Sequence, residues 1–324
     1  MSGNSHHPDK LDRVGGYSID AIRIHPSTGE KALKIEFGFV TELNIYEDIQ
    51  SNAITGSMEI VDTYNLIGNA QLQGNERLSF ILQTPGRGAA GMVATVDASE
   101  ETGYPFFIYS ITDRRPVSET TMTYTIYFCS NELARNTRLR VNRTFDGDLG
   151  RMAVKILKDP NGLNTKKPVF FEPTRNQDTV LMPNLRPFDA VNLIAKKALS
   201  GNANGAGYYF YETAKGFYFR SVENMLAYQS TFPRPQIRTL KYERPTNSGT
   251  MTSRKLHTQH HNVQSYEFIN KFDTLANQAL GTYASRVITY NIFDKSYAIN
   301  DYDYHRQYGQ LIHTDTTEEP RTKH

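Results

Sequence analysis

The sequence predicts an α+β protein that is mainly β: an antiparallel barrel or sandwich with an α-rich unit placed between β segments. Two observations lead to this fold class. Short segments in which apolar and polar residues alternate follow one another up to Ser130, with no helical pattern between them. Amphipathic helix patterns then appear in the stretch that follows.

Residues 41–83 hold the clearest strand patterns of the chain. Along 55–61, Gly56, Met58 and Ile60 alternate with polar residues, which is typical of a strand that buries one face. A second alternating segment at 78–83 follows a loop that is rich in Asn and Gln. The pattern predicts two strands with a long polar connection.

The other strands of this unit follow from the same period of two. A first strand at 17–25 has an alternation that slips between Ile19 and Ile22, which indicates a bulge. A turn at 26–29 comes next. Three further alternating segments complete the unit, at 35–39, 106–114 and 122–128.

Three helices are expected after this unit. Ser130 suits the N-cap of a short helix over 130–138. The apolar residues of 148–158 recur at helical spacing and share one face. Pro187 suits the first turn of a third helix over 187–200.

The last third of the chain alternates between irregular and regular segments. We expect a hairpin over 208–220, an irregular stretch over 229–262 that is rich in proline, and a helix over 265–280. Two strands at 285–292 and 295–302 follow, and a polar tail closes the sequence.

Composition limits the classes of protein that fit. The formal net charge of +2 is too small to indicate nucleic-acid binding. Cys129 is the only cysteine, so an intramolecular disulfide and a CxxC site are both excluded. No apolar run approaches the roughly 20 residues of a membrane-spanning helix, and the first ten residues lack the apolar core of a signal peptide. We expect assembly in a reducing cytoplasm.

Candidate sites of chemistry are few and weak. His257, His260 and His261 lie in one segment, but without cysteine nearby a polar loop explains them better than a zinc site. The glycine-rich stretch at 86–92 lacks the phosphate-loop spacing and no helix pattern follows it. We interpret it as a loop between strands.

Acidic side chains and Cys129 could in principle serve catalysis. A pair of carboxylates could hydrolyse a glycoside, but charged residues on the polar faces of strands are the commoner explanation. These carboxylates are Glu42, Glu47, Asp48, Glu59 and Asp62. Cys129 ends an apolar strand, where a buried thiol is expected. No GxSxG or HExxH motif occurs. We therefore expect no catalytic residue, no metal ligand, no cofactor and no enzymatic activity.

Three long blocks of the sequence, together spanning about 19–304, carry a resemblance to a known family. They are LNIYEDIQSNAITGSMEIVDTYNLI followed by LQGNERLSFIL, then NLRPFDAVNLIAKKALS followed by GYYFYETAKGFYFRSVENML, and finally YEFINKFDTLANQALGTYASRVITYNIFDKSYAINDYDY. The chain resembles the baseplate hub proteins of contractile-tailed bacteriophages in all three blocks.

The resemblance implies two tail-tube-like antiparallel β-barrel domains in one chain. The first comprises 15–129 together with 206–228, the second comprises 229–304 with an irregular beginning, and 130–205 is an α-rich inserted domain. Residues 1–14 are expected to be a disordered N-terminus, and 305–324 a polar tail.

The resemblance also implies a structural role in the virion. Three copies form a hub that connects the sixfold tail tube to the threefold central spike, among other baseplate (wedge) proteins. The tape measure protein and phage DNA pass through its lumen without specific binding, and no part enters a membrane. Two alternatives stay open: a sixfold tail-tube or baseplate adaptor, and a hub-associated peptidoglycan hydrolase.

Loops between strands of tube-type domains reach neighbouring subunits, as the resemblance implies. We therefore expect the residues of the assembly interface to lie within 41–83. The predicted set is Asn44, Tyr46, Asp48, Ile49, Asn65, Leu66, Asn69, Gln71 and Gln73.

Overall fold

The computed structural model describes residues 17–27, 31–69, 72–85, 92–201, 207–226, 241–242, 262–263, 265–267 and 273–307. Its described strands and helices confirm a mainly β, α+β protein. Among the described residues, no helix is long and apolar enough to cross a membrane.

One antiparallel sheet contains all strands before residue 131. The order in the sheet is β2-β1-β5-β7-β8-β4-β3, and β6 pairs with β5 beside this path. The strands are β1 (Ser18–His25), β2 (Leu33–Lys34), β3 (Val40–Tyr46), β4 (Thr55–Asp62), β5 (Arg77–Pro85), β6 (Met92–Asp97), β7 (Phe106–Pro116) and β8 (Met122–Ser130). A short α1 (Leu66–Asn69) lies between β4 and β5.

The alternation in the sequence correctly predicts which face of the sheet is buried. Every second residue of β4 is buried, including Met58 and Ile60. Phe80, Phe106 and Phe128 from β5, β7 and β8 meet with ring centroids 5.0–6.0 Å apart. Burial of such side chains contributes about 1.5–3 kcal/mol each, which makes this cluster the centre of the first core.

The predicted bulge in β1 is also present. The pairing register between β1 and β5 shifts between Asp20 and Arg23, and Ala21 between them has a φ of +53°. The extra residue lets Ile19 and Ile22 both point into the core despite their odd spacing.

The sheet is not a closed barrel in the described residues, which corrects the expectation of a continuous hydrogen-bonded cylinder. Its edges are β2 and β3, and the five residues 35–39 connect them directly. A 3₁₀ turn at Phe37–Phe39 lies on this crossing and contacts both β1 and β4. The sheet therefore curls until its edges come near each other, and chain rather than a strand ladder spans the remaining gap.

A second core follows, built from helices and strands together. Its elements are α2 (Asn131–Arg138), β9 (Val141–Asp148), α3 (Leu149–Lys158), β10 (Val169–Phe171), β11 (Gln177–Leu185), α4 (Pro187–Lys197), β12 (Tyr208–Thr213), β13 (Gly216–Ser221) and α5 (Val222–Leu226). We call residues 131–226 the α/β unit. β9 pairs with β11, and β10-β13-β12 form a three-stranded sheet.

All three predicted helices are present in this unit. Asp148 accepts a hydrogen bond from Arg151 N at 2.7 Å and so caps α3, whose apolar face is buried. Two expectations need correction. The segment 130–205 also contains three strands, and the hairpin β12–β13 pairs with β10 rather than with the first sheet. The apolar residues of β12 and β13, such as Phe210 and Phe217, belong to the second core, which fixes the hairpin there.

The last described region contains isolated elements. β14 (Lys241–Tyr242) pairs with β15 (Asn262–Val263), and α6 (Thr274–Ala279) precedes a hairpin of β16 (Ala284–Tyr290) and β17 (Tyr297–Asp303). A short α7 (Tyr304–Gln307) ends it. The hairpin agrees with the sequence prediction. Within 229–304, the described residues show these two-stranded pairs and no second barrel. Expectations for 1–14 and for the tail beyond 307 lie outside the described residues.

Candidate assembly surface

The structure places the predicted interface residues on two loops that flank β4. Asn44, Tyr46, Asp48 and Ile49 lie on β3 and the β3–β4 loop (residues 47–54), where β4 begins. The other group lies on the β4–β5 loop (residues 63–76), which begins where β4 ends. This loop returns to the level of the start of β4, because Arg77 pairs with Phe107, Phe107 with Cys129, and Cys129 with Thr55. Gln71 is outside the described residues.

The first group begins on the outer face of β3. Asn44 Nδ2 donates to Glu42 Oε1 at 2.7 Å and to Ser57 Oγ at 3.3 Å. Tyr46 is exposed at the end of the strand. Among the described strands β3 pairs with β4 alone, so the backbone groups on its other side have no strand partner there. This is the sheet edge at which another strand could add.

The β3–β4 loop itself is held by the α/β unit of the same chain. Asn52 Nδ2 donates to the backbone oxygen of Phe210 at 2.7 Å, and the side chains of Asn52 and Asn192 bond to each other at 2.9 and 3.2 Å. Ala214 N donates to Glu47 Oε1 at 2.5 Å. These contacts hold the side chains of Glu47 and Asn52 against the same chain, whereas Asp48 and Ile49 stay exposed on the loop.

A buried cluster of charges lies beneath this loop. Lys167 Nζ contacts Glu212 Oε1 at 2.5 Å and Glu132 Oε2 at 3.1 Å, and all three side chains are at least nine-tenths buried. The second oxygen of Glu212 accepts a hydrogen bond from Ile54 N at 2.9 Å. Thr165 Oγ1 donates to Glu132 Oε1 at 2.7 Å. The cluster therefore ties the start of β4 to the α/β unit.

Burial decides the protonation behaviour of this cluster. Burial raises the pKa of Glu212, and the nearby Lys167 only partly opposes this effect. Burial alone lowers the pKa of Lys167, but Glu212 and Glu132 outweigh it and the net shift is upward. Cys129 lies close by, and burial raises the pKa of its thiol to about 12. A thiol that stays protonated is a poor nucleophile, which agrees with a structural cysteine.

The second group lies on a loop that two buried carboxylates organise. Asp62 accepts from the backbone N–H groups of Tyr64 and Leu66, at 2.9 and 2.7 Å. Glu76 accepts from the backbone N–H groups of three successive residues, 73–75, at 2.7–2.9 Å. Burial and the adjacent Asp62 raise the pKa of Tyr124, whose hydroxyl donates to that carboxylate. These acids position backbone and do not form a catalytic pair.

The β4–β5 loop presents a smaller surface than the sequence predicted. Asn65 and Gln73 are exposed, whereas Leu66 packs against the first core. Asn69 ends α1. Tyr64, which the sequence analysis did not select, is exposed, and its ring meets Phe39 edge-on with centroids 5.6 Å apart. The described residues of the loop therefore offer a polar and aromatic surface that includes Tyr64, Asn65 and Gln73.

The other candidate residues are carboxylates on strands β3 and β4, and two segments outside the described part of the chain. Glu42 and Glu59 face each other across β3 and β4, as solvent-facing residues of strands do. No described group of three or more His, Cys, Asp or Glu side chains could hold a metal ion. His257, His260 and His261 are outside the described residues, and so is 86–91.

The sequence analysis missed an exposed apolar surface on the hairpin β16–β17. The hairpin β16–β17 places Ile288 opposite Ile299 and Tyr290 opposite Tyr297, all four exposed. We call these four residues the hairpin apolar face. The sequence contained evidence for this surface. Apolar residues alternate on both strands, and no neighbouring segment has the pattern of a further strand that could pack on them.

Comparisons with known proteins give similarity to phage tail proteins. No family model and no curated protein matches the chain. One similar solved structure is the 43 kDa tail protein of prophage MuSo2 from Shewanella oneidensis, with a TM-score of 0.39 and 10% identity over 62% of this chain and 53% of that one. Another is prophage tail protein gp18 from Listeria monocytogenes, with a TM-score of 0.39 and 9% identity over 70% of this chain and 63% of that one.

A third similar structure comes from a secretion system. It is the E. coli c3393 protein, described as a type VI secretion component with structural similarity to the T4 tail proteins gp27 and gp5; its TM-score is 0.32, with 12% identity over 55% of this chain and 48% of that one. The chain spans about half to three-fifths of the length of these proteins. With TM-scores below 0.5, these likenesses do not by themselves establish a shared fold, and what they give is similarity to structural proteins of phage tails and a related secretion system.

Proposed function

We propose that this chain is a structural protein of a contractile phage tail, namely a trimeric baseplate hub that joins the sixfold tail tube to the threefold central spike. The three sequence blocks support the family. The observation in the structure that supports the proposal is the edge of β3, which pairs with no described strand other than β4, on a curled antiparallel sheet with a buried apolar face.

A strand edge without a described partner, such as that of β3, suits a protein whose copies assemble into a ring. A strand with one free side can accept a strand or loop from a neighbouring subunit, through backbone hydrogen bonds that need no special side chains. When the same contact repeats around an axis, rotational symmetry closes the ring at a fixed number of copies. Asn44 and Tyr46 then belong to the lateral contact, with Asp48 and Ile49 beside it.

The β4–β5 loop has a different place in this proposal. In the proposed ring its exposed residues face along the axis. Asn65 and Gln73 would contact the adjoining ring of the tail tube or the spike, with Leu66, Asn69 and Gln71 supporting that contact. The α/β unit would bind other baseplate proteins.

The wider organisation of the hub is part of the same proposal. In the proposed trimer, residues 15–129 would supply one tube-like domain of each copy. Pseudo-sixfold symmetry needs a second such domain from 229–304, whose described elements form two-stranded pairs. The lumen passes DNA and the tape measure protein, and the near-neutral net charge suits a channel that must not hold phosphates tightly. Assembly takes place in the host cytoplasm, and the mature protein lies in the virion.

Stoichiometry tests the proposal. Native mass spectrometry of the purified full chain is expected to show three copies of the 36.8 kDa chain. Electron microscopy of assembled tails should place this ring on the axis between tube and spike. Six copies per ring would favour a tube or adaptor protein instead, and a monomer located off the axis would refute both. Clearing of peptidoglycan by the purified chain would support the hydrolase alternative.

A further inference from the structure

The region 273–307 shows an unusual balance of exposed and buried surface. It contains α6, the hairpin β16–β17 and α7, and none of its residues is buried. Phe293 at the tip of the hairpin is 98% exposed. A two-stranded hairpin is marginally stable at best when nothing covers it. The region therefore carries apolar side chains that are typical of a protein core, but none of these side chains is buried.

The apolar surface is large enough for a stable interface. The hairpin apolar face and the turn beside it carry six exposed apolar side chains: Ile288, Tyr290, Ile292, Phe293, Tyr297 and Ile299. With about 150–250 Å² for an aromatic side chain, they expose on the order of 800 Å². A stable interface buries about 800 Å² on each partner, and apolar patches of this size are uncommon on monomeric proteins.

The charges beside this surface are paired within the hairpin. Arg286 lies opposite Asp301 on the same side as the hairpin apolar face, and the two make a bidentate contact at 2.6 and 3.0 Å. A patch that neutralises its own charge offers no charged group for a partner of opposite sign to recognise. It also sets no like charges against each other when two copies meet.

From these observations we propose that the hairpin apolar face packs against a second copy of this chain. An identical chain is present wherever this one is made, so the patch is covered without waiting for another protein. Large, apolar and aromatic-rich surfaces are also typical of permanent contacts between copies. This inference rests on the proposed ring and assigns one of its contacts to a surface remote in sequence from β3.

A photo-crosslink identifies the occupant of the face. Tyr290 is replaced by p-benzoylphenylalanine, which keeps an aromatic ring at that position, and the purified full chain is irradiated. The expected product has twice the 36.8 kDa mass of the chain. The control places the same amino acid at Val117, which is exposed to a similar extent and lies outside the hairpin. This control should give little product of doubled mass. If position 290 gives no more product of doubled mass than position 117, the inference is wrong.

A charge substitution tests the energetic importance of the contact. We expect Ile288→Asp to weaken self-association at least tenfold in sedimentation experiments, whereas Val117→Asp leaves it unchanged; the two side chains are 63% and 64% exposed. Circular dichroism should show both variants folded, because neither side chain is buried. Self-association of Ile288→Asp at wild-type strength would overturn the inference and leave the trimeric hub standing. A wild-type hexamer whose association is weakened by Ile288→Asp would support the inference and refute the trimeric hub.

Discussion

Replacing Lys167 by Met removes the one cation from a buried cluster that holds two carboxylates. In the wild-type protein, Lys167 Nζ lies 2.5 Å from Glu212 and 3.1 Å from Glu132. Methionine has a similar length, so the substitution removes the charge and leaves most of the packing in place. Both acids then remain buried without a positive partner.

The structure sets the expected size of the effect. Removal of one member of a buried ion pair destabilises a protein by about 3–5 kcal/mol, because the remaining charge stays desolvated and uncompensated. We expect a loss of this size in the free energy of unfolding at pH 8. Lys197→Met is the matched control. Its partner Asp178 lies 3.1 Å away, but both side chains are more than two-fifths exposed, so we expect a loss of no more than about 0.5 kcal/mol.

The penalty should depend on pH with a definite sign. Burial already raises the pKa of Glu212, and loss of Lys167 removes the group that lowers it most. The folded variant then keeps a proton that the unfolded chain releases above about pH 4.5. Stability therefore falls as the pH rises from that value through the folded-state pKa of Glu212. The destabilisation caused by Lys167→Met should be smaller at pH 5 than at pH 8.

Urea unfolding at these two pH values, followed by circular dichroism, measures both effects. The comparison uses the wild-type chain, Lys167→Met and Lys197→Met. A loss below 1 kcal/mol for Lys167→Met at pH 8 would show that the cluster is more hydrated than its burial implies. An equal loss at both pH values would show that neither carboxylate takes up a proton, and the account of Glu212 would then be wrong.

Three further substitutions test the sheet and its junction with the α/β unit. Met58→Asp buries an unpaired charge and should abolish soluble, folded protein, whereas Ser57→Asp, with its side chain on the opposite face, should express normally. Gly56→Ala should lower stability by about 1–3 kcal/mol in urea unfolding, since its Cβ would overlap the ring of Phe128; an unchanged midpoint would contradict this close approach. Asn52→Ala should cost about 1–2 kcal/mol and speed limited proteolysis of the β3–β4 loop, and unchanged cleavage would mean that the junction does not depend on this amide.

Local patterns in the sequence predicted most single elements. Alternation placed Met58 and Ile60 in the core, and the uneven spacing of Ile19 and Ile22 located the bulge in β1. Helical spacing identified α3, and the structure shows Asp148 as its cap. These features depend on residues that are close in sequence, so period and capping chemistry suffice to find them.

Relations between distant segments could not be predicted in the same way. The β3–β4 loop looked free to reach a neighbour, but Asn52 bonds to Phe210 and Asn192, which are 158 and 140 positions away. The hairpin β12–β13 was expected in the first sheet. Its alternation predicts two strands, but it does not identify the third strand with which they pair. Glu212 reads as a polar residue on a strand, and nothing near it in the sequence reveals Lys167 as its partner.

The hydrogen bond between Ile54 and Glu212 also concerns the order in which the chain is made. The two residues are 158 positions apart, and the last strand of the first sheet ends at Ser130, 82 residues before the carboxylate. At about 5–20 residues per second, the ribosome adds those 82 residues in roughly 4–16 s. A first sheet that folds during synthesis therefore does so before the bond to Ile54 N can form, and β12 supplies this bond last.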